Sequence, residues 1–159
     1  MATLPRPRPS LREREPTWLA TGKYASLGGM PGGAHSTTNV GSEAGGFRIL
    51  GSTDGNLRIA GWGYWPADVV SAFNSKAPAA TQALVAVGVF VFDCKDLKPQ
   101  GAEGQDAIRA LFRALARLPF AKGLIVKGNA MTCMQLSRLL RECGAEKRIE
   151  FADAESFGS

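Results

Sequence analysis

His35, the only histidine, and the three cysteines Cys94, Cys133 and Cys143 are the residues of this 159-residue sequence from which nucleophilic, redox or metal chemistry would be built. His35 falls in a stretch without periodicity, so neither a Ser-His-Asp or Cys-His arrangement nor a histidine metal site is expected. The cysteines are odd in number and lack C-x-x-C spacing. That argues against a disulfide framework or a zinc site, and for buried thiols in a reducing compartment. Cys133 and Cys143 can share a helical face, yet ten residues at about 1.5 Å rise put them too far apart to bridge. Asp93 and Asp96 follow a buried run, where α/β folds place ligand-binding groups; two carboxylates in a loop are more simply solvated turn residues. Gly28-Gly29-Met30-Pro31-Gly32-Gly33 invites comparison with a phosphate-cradling loop, but the Lys-Ser/Thr ending, the preceding strand and the following helix are missing. No catalytic residue, metal or cofactor is therefore assigned, and no enzyme activity is expected.

Charge says something about partners. The net charge is +5, and an isoelectric point near 9.4 favours acidic proteins, anionic membrane surfaces or nucleic acid without choosing among them. Arg6 and Arg8 alternate with prolines near the N-terminus, and Arg109, Arg113 and Arg117 fall four apart on one helix face. Together they form a candidate anion-binding set, with a solvated face as the simpler reading. Residues 1–46 are rich in Pro, Arg, Gly and Ser and read as a flexible arm. Trp18 within it is a candidate docking anchor. No run of about 18 apolar residues and no charged-then-apolar leader occurs, so a soluble cytoplasmic protein without a membrane span is expected.

The elements that would position these groups fill residues 47–152, with 153–159 as a frayed tail. Phe47 and Ile49, then Leu57 and Ile59, alternate with polar residues around Asp54-Gly55, which predicts a hairpin. Trp62, Tyr64 and Trp65 precede a short helix that opens at Pro66 and stops at Pro78. Leu84 to Phe92 is nine apolar residues, the pattern of a strand covered on both faces. Ile108, Leu111, Phe112, Leu115 and Leu118 give a helix over about 104–117 an apolar stripe. A strand at Gly123 to Val126 completes a parallel βαβ unit. A capping box at Thr132 and Gln135 opens the last helix, Gly144 ends it, and a strand at Arg148 to Phe151 closes the domain. The fold class is α/β, a single mixed, largely parallel sheet packed with helices.

This order of elements resembles the STAS domain, found in bacterial anti-sigma-factor antagonists and in the cytoplasmic parts of sulfate-type transporters. Leu57-Arg58-Ile59-Ala60-Gly61 looks like that family's strand ending in Gly. Val91-Phe92-Asp93 looks like its central strand, and Leu139-Leu140-Arg141-Glu142-Cys143-Gly144 like its late helix. The family's Asp-Ser-x-Gly phosphorylation loop falls on Gly101-Ala102-Glu103-Gly104. The last glycine is kept and Ala102 replaces the phosphoacceptor. The resemblance implies a non-catalytic adaptor or regulatory subunit without the phosphoswitch, docking a protein partner through Gly101, Ala102, Glu103, Gly104, Gln105, Asp106 and Arg109. Two alternatives stand beside it. One is a nucleic-acid-binding α/β protein using the arginines. The other is a leucine-rich-repeat-like assembly subunit, although the 35-residue interval from Cys94 to Asn129 is long for one repeat.

Overall fold

In the computed structural model, which describes residues 35–52, 55–120 and 122–153, six strands and three helices follow one another in a simple order. The strands are β1 (His35–Ser42), β2 (Gly45–Ser52), β3 (Leu57–Gly63), β4 (Val89–Leu97), β5 (Lys122–Val126) and β6 (Ile149–Ala152). The helices are α1 (Ala67–Ala80), continued by a 3-10 turn at Thr81–Ala83, α2 (Ala102–Ala116) and α3 (Ala130–Cys143). The sheet has the strands in sequence order. β1, β2 and β3 pair antiparallel, and β3 through β6 pair parallel. Each crossover advances one strand in the same direction, so right-handed connections carry all three helices to one face; accordingly α1 packs on α2 and α2 on α3.

Beneath the helices the sheet contributes Phe47, Ile49, Leu57, Ile59, Phe90, Phe92, Ile125 and Ile149 to one apolar core. Its centre is aromatic. Phe73 of α1 lies edge-on to Phe47 at 5.0 Å, and Phe92 of β4 meets Phe112 of α2 at 6.3 Å in the same manner. Truncating a phenylalanine in such a site costs about 3–5 kcal/mol. The alternate residues Arg58, Val91, Asp93, Leu124 and Val126 are also buried but outside this core, as the period of two along a strand requires. β4 is thus buried on both faces.

Several boundaries differ from those read in the sequence. The arm expected to run to residue 46 gives way to strands from His35 onward, because Ser-Thr-Asn-rich β1 draws its order from eight-residue pairing with β2 rather than from its own apolar content. Residues 33–152 form one compact unit. The central strand begins at Val89, not Leu84. Val85 donates to the Gly55 carbonyl and Gly88 to the Val85 carbonyl, which closes a turn that leaves Val87 77% exposed. At its other end β4 runs on to Leu97. Pro78 lies inside the last turn of α1 rather than ending it.

The last helix starts two residues before Thr132. Asn129 Oδ1 accepts from the amides of Met131 and Thr132, so asparagine is the cap, and the capping box at Thr132 does not form. Gly144, at φ 73°, closes this helix in the left-handed conformation expected of it. The end of α2 is closed differently. The Arg148 guanidinium donates to the carbonyls of Leu115, Ala116, Leu118 and Phe120 and lies 4.1 Å above the Phe120 ring. A single side chain from the last loop thus donates to four carbonyls at the end of the helix, of which that of Leu115 also accepts from the Leu118 amide.

Amide exchange checks this placement of β4. The Val91 and Phe92 amides are expected to exchange only with global opening, and the Val87 amide orders of magnitude faster. Equal protection at Val87 and Val91 would contradict the turn at residues 85–88.

Candidate functional site

α1 and α2 both begin at the carboxyl ends of parallel strands, and a cleft of about 340 Å³ opens between their first turns. Tyr64, Pro66 and Val70 form one wall and Gly101, Ala102 and Glu103 the other, above Trp65. A second hollow of about 260 Å³ continues it between the helices past Ser71, Asn74 and Asp106. Neither helix has a side-chain cap at its start, and in the first turn of α1 the Val69 amide bonds the Pro66 carbonyl.

Gln100, 4% exposed, fixes this region. Its Nε2 donates to the carbonyls of Gly63 (2.9 Å) and Lys98 (2.7 Å), and its Oε1 accepts from the Trp65 amide at 3.0 Å. The Gln100 amide donates to Gln135 Oε1 at 2.9 Å. Its carbonyl accepts from Gln105 Nε2 and Gln135 Nε2 at 2.9 and 3.0 Å. One residue therefore ties the end of β3, the start of α2 and the flank of α3 together. Gly104 makes the arrangement possible, since a Cβ there would stand 2.9 Å from Gln100 Cβ and 3.0 Å from its Oε1. At Gly101 a Cβ would come within 2.7 Å of the Tyr64 hydroxyl.

Of the residues proposed for partner binding, those from Gly101 to Asp106 lie at this start of α2. Gly101 precedes α2, and Ala102 and Glu103 are its exposed first residues. Gln105 returns to the Gln100 carbonyl and also bonds Arg138 of α3. Arg109 turns aside to α3: its Nε and Nη2 both donate to Glu142 Oε1, at 3.1 and 3.0 Å, and Nη1 bonds Asp106. The Glu142 hydrogen bond and the two neighbouring carboxylates hold its guanidinium even more firmly charged than usual. Arg109 is therefore engaged within the domain, while Arg113 on α2 and Arg117 just past its end stay exposed. Arg6, Arg8 and Trp18 lie outside the described residues.

Asp93 and Asp96, read as turn residues, part company inside β4. Asp96 is exposed. Asp93 is 5% exposed and lies on the opposite sheet face, where its Oδ2 accepts from Arg58 Nη2 at 2.9 Å and Lys95 Nζ at 3.0 Å. Burial alone would raise its pKa; the Lys95 hydrogen bond and charge, with the Arg58 charge, outweigh that and bring it below the ordinary carboxyl value. Burial pushes the Cys94 thiol well up and the Cys143 thiol up, so both stay protonated near neutral pH. Of the three aromatics before α1, Trp65 is buried in the core and Tyr64 is 54% exposed at the cleft. Among the described residues no three His, Cys, Asp or Glu side chains stand together to hold a metal ion, and no helix is long and apolar enough to cross a membrane.

Sequence reasoning missed Gln100 and the capping role of Asn129 and gave Gln135 to a capping box, because glutamine and asparagine carry no periodic signal and their partners are more than thirty residues away or main-chain groups. Compared with known proteins, the chain matches no family model and no curated sequence.

Replacing Gln100 with alanine leaves the buried Trp65 amide without its partner and the Gly63 carbonyl with the Lys98 amide alone. The expected cost is about 2–4 kcal/mol in denaturant unfolding, together with faster amide exchange across residues 101–105. A change below about 0.5 kcal/mol would show that water replaces the side chain without loss.

The Asp93 cluster gives a pH dependence of defined sign. Its folded pKa lies below the unfolded value of 3.8, so its contribution is present above the unfolded pKa and is lost as pH falls through the folded one. Between about pH 5 and pH 2 the wild-type chain is expected to lose more stability than Asp93→Asn. Parallel acid-unfolding curves for the two would contradict the pairing.

Proposed function

We propose that the chain is a non-catalytic adaptor or assembly subunit, STAS-like in build and cytoplasmic, that docks a protein partner against the head of α2. The observation that carries this reading is a loop both exposed and fixed. Ala102 presents a methyl group to solvent at the first residue of α2, while Gln100 two residues before it is bonded to β3, α2 and α3. A surface held in one conformation loses little entropy on docking, which is what a binding site for a folded partner needs.

The resemblance supports the same place. The succession of hairpin, helix, strand, helix, strand, helix and strand over residues 45–152 is the order it implies. Ala102 stands where the phosphoacceptor would be and cannot accept a phosphoryl group, so docking on this reading is constitutive. The cleft beside Ala102 suits an apolar or aromatic anchor of the partner, with Tyr64 and Val70 as walls and the uncapped helix starts offering donors to its main chain.

The electrostatic alternative has one observation in its favour, the exposure of Arg113 and Arg117. It is weakened by Arg109, whose charge is already opposed by Glu142 and Asp106, so that the described stripe offers two open cations rather than three. The leucine-rich-repeat reading has the adjacent parallel strands β4 and β5 in its favour, but its alignment sets Val89 against Leu124 where the sheet pairs Val91 with Leu124, and the interval between its repeats is long.

Partner retention from a lysate of the native host, compared for Ala102→Glu and Arg113→Glu, separates the first two readings. A glutamate at position 102 suits the positive end of α2 and leaves the free domain within about 0.5 kcal/mol of wild type. On docking it buries an unpaired charge and is expected to weaken retention by about 2 kcal/mol or more. Retention unchanged by Ala102→Glu but abolished by Arg113→Glu, and falling steeply with salt, would favour nucleic acid instead.

A further inference from the structure

β1 forms one edge of the sheet, paired with β2 over eight residues without a register shift and with no strand on its outer side among the described residues. Half of its main-chain donors and acceptors therefore point outward. Edges of this kind are ordinarily blunted by charge, proline or a bulge. β1 has none of these: His35-Ser36-Thr37-Thr38-Asn39-Val40-Gly41-Ser42 contains no Pro, Asp, Glu, Lys or Arg. The far edge differs. β6 has four residues and carries Glu150, paired with Lys122 of β5 at 3.4 Å.

α1 lies over β2 and β1. Its Ala67, Val70, Ser71 and Asn74 flank turns toward α2 across the cleft, so the opposite flank, Asp68, Ala72 and Lys76 at intervals of four, turns toward the β1 edge. Asp68 and Lys76 are exposed and join no ion pair among the described residues. Ala72 between them is small and packs against the core.

We infer that two copies of the chain associate about a two-fold axis normal to the sheet, through their β1 edges and the Asp68-Ala72-Lys76 flanks of α1. Such an axis sets the two β1 strands antiparallel, the arrangement an isologous strand edge requires. Because β1 is uncharged, pairing with itself meets no like-charge repulsion. The same axis sets the two α1 helices antiparallel on one face of a continuous sheet. Crossing at Ala72, where the side chains are small, each helix brings Asp68 opposite Lys76 of the second copy. The occupant is thus fixed by self-complementarity of both layers, strand and helix.

Light scattering on the full chain, across micromolar to sub-millimolar concentrations, tests this. The expected mass is twice 16.8 kDa. Asp68→Lys and Lys76→Asp each set like charges against one another at two symmetry-related points, and each is expected to weaken dimerisation roughly tenfold or more. The double variant Asp68→Lys/Lys76→Asp restores it. Eight residues along one helix, at about 1.5 Å each, leave the two side chains too far apart to meet within a chain, so restoration reports contact between copies and not repair of folding. Thermal melts confirm that the single variants fold. A monomer at the highest concentration overturns the inference. So does a dimer indifferent to both single changes, or one lost in the singles and not regained in the double.

Discussion

The side-chain amide of Gln100 is the interaction on which the helix-bearing edge of this domain depends. Three strands end there and three helices begin, and each junction leaves main-chain groups without partners from its own element. A buried amide with two donors and one strong acceptor answers this at the junction where β3 passes to α1, satisfying Gly63, Lys98 and Trp65 at once. Its own main chain then recruits Gln105 and Gln135. Thr132 adds a second link of this kind, donating from its hydroxyl to the Leu97 carbonyl at 2.9 Å. Gly104 follows from this geometry, since the turn of α2 that faces Gln100 has no room for a methyl group. The order of the edge is thus set by hydrogen bonds between glutamines, with apolar packing supplying the layer beneath.

The two faces of the sheet are built on different physics. Toward the helices the residues are aromatic and aliphatic, and their contribution scales with the area removed from water. On the opposite face Val91, Leu124 and Val126 surround a buried carboxylate held by an arginine and a lysine. Removing two charges from water costs several kcal/mol, which only close pairing offsets. The lowered Asp93 pKa shows that the pairing prevails over desolvation. Such a cluster contributes less to net stability than an apolar core. It also fixes the register of β3 against β4, because a slip of one residue would carry Asp93 to the helix side, among Phe90 and Phe92.

How much of this was legible in the sequence follows from how far each residue's determinants lie along the chain. Phe47, Ile49, Leu57 and Ile59 announce a hairpin by alternation, and the stripe from Ile108 to Leu115 announces α2, because both signals are local. The run Leu84 to Phe92 misled for the opposite reason. Apolar content is the same in residues 84–88 and 89–92, and only the hydrogen bonds from Val85 and Val89 back to residues 55 and 56 decide where the strand starts. Thr132 and Gln135 present a capping box to the eye. In the fold both side chains are taken by β4 and the loop after it, and Asn129 caps instead. Alternation is weak in β1, whose pairing with β2 supplies the order. Of the residues proposed for the site, Gly101, Ala102 and Glu103 were reached through the resemblance, by counting from Asp93 at that family's spacing. Arg109 required the fold, since Glu142 is thirty-three residues away.

These substitutions of role bear on what the helix-bearing edge can do. In a parallel sheet the loops at the carboxyl ends of the strands are where side chains converge, and α/β proteins place their chemistry there. Here the polar side chains at that edge serve the main chain: Gln100, Gln135 and Asn129 satisfy amides and carbonyls, Thr132 bonds Leu97, and Arg109 is held by Glu142. Asp96, Lys98 and Glu103 stay exposed at this edge, and apolar groups lie among them. A methyl group at Ala102, the ring of Tyr64 and, on α3, Met131 and Met134 at 65% and 70% exposure leave apolar surface in water around a loop that Gln100 bonds to its neighbours. Rigid apolar surface gains by being covered and loses little conformational entropy when it is. On the docking reading proposed above, the same hydrogen bonds that fix these side chains also favour this edge as the surface a partner would cover.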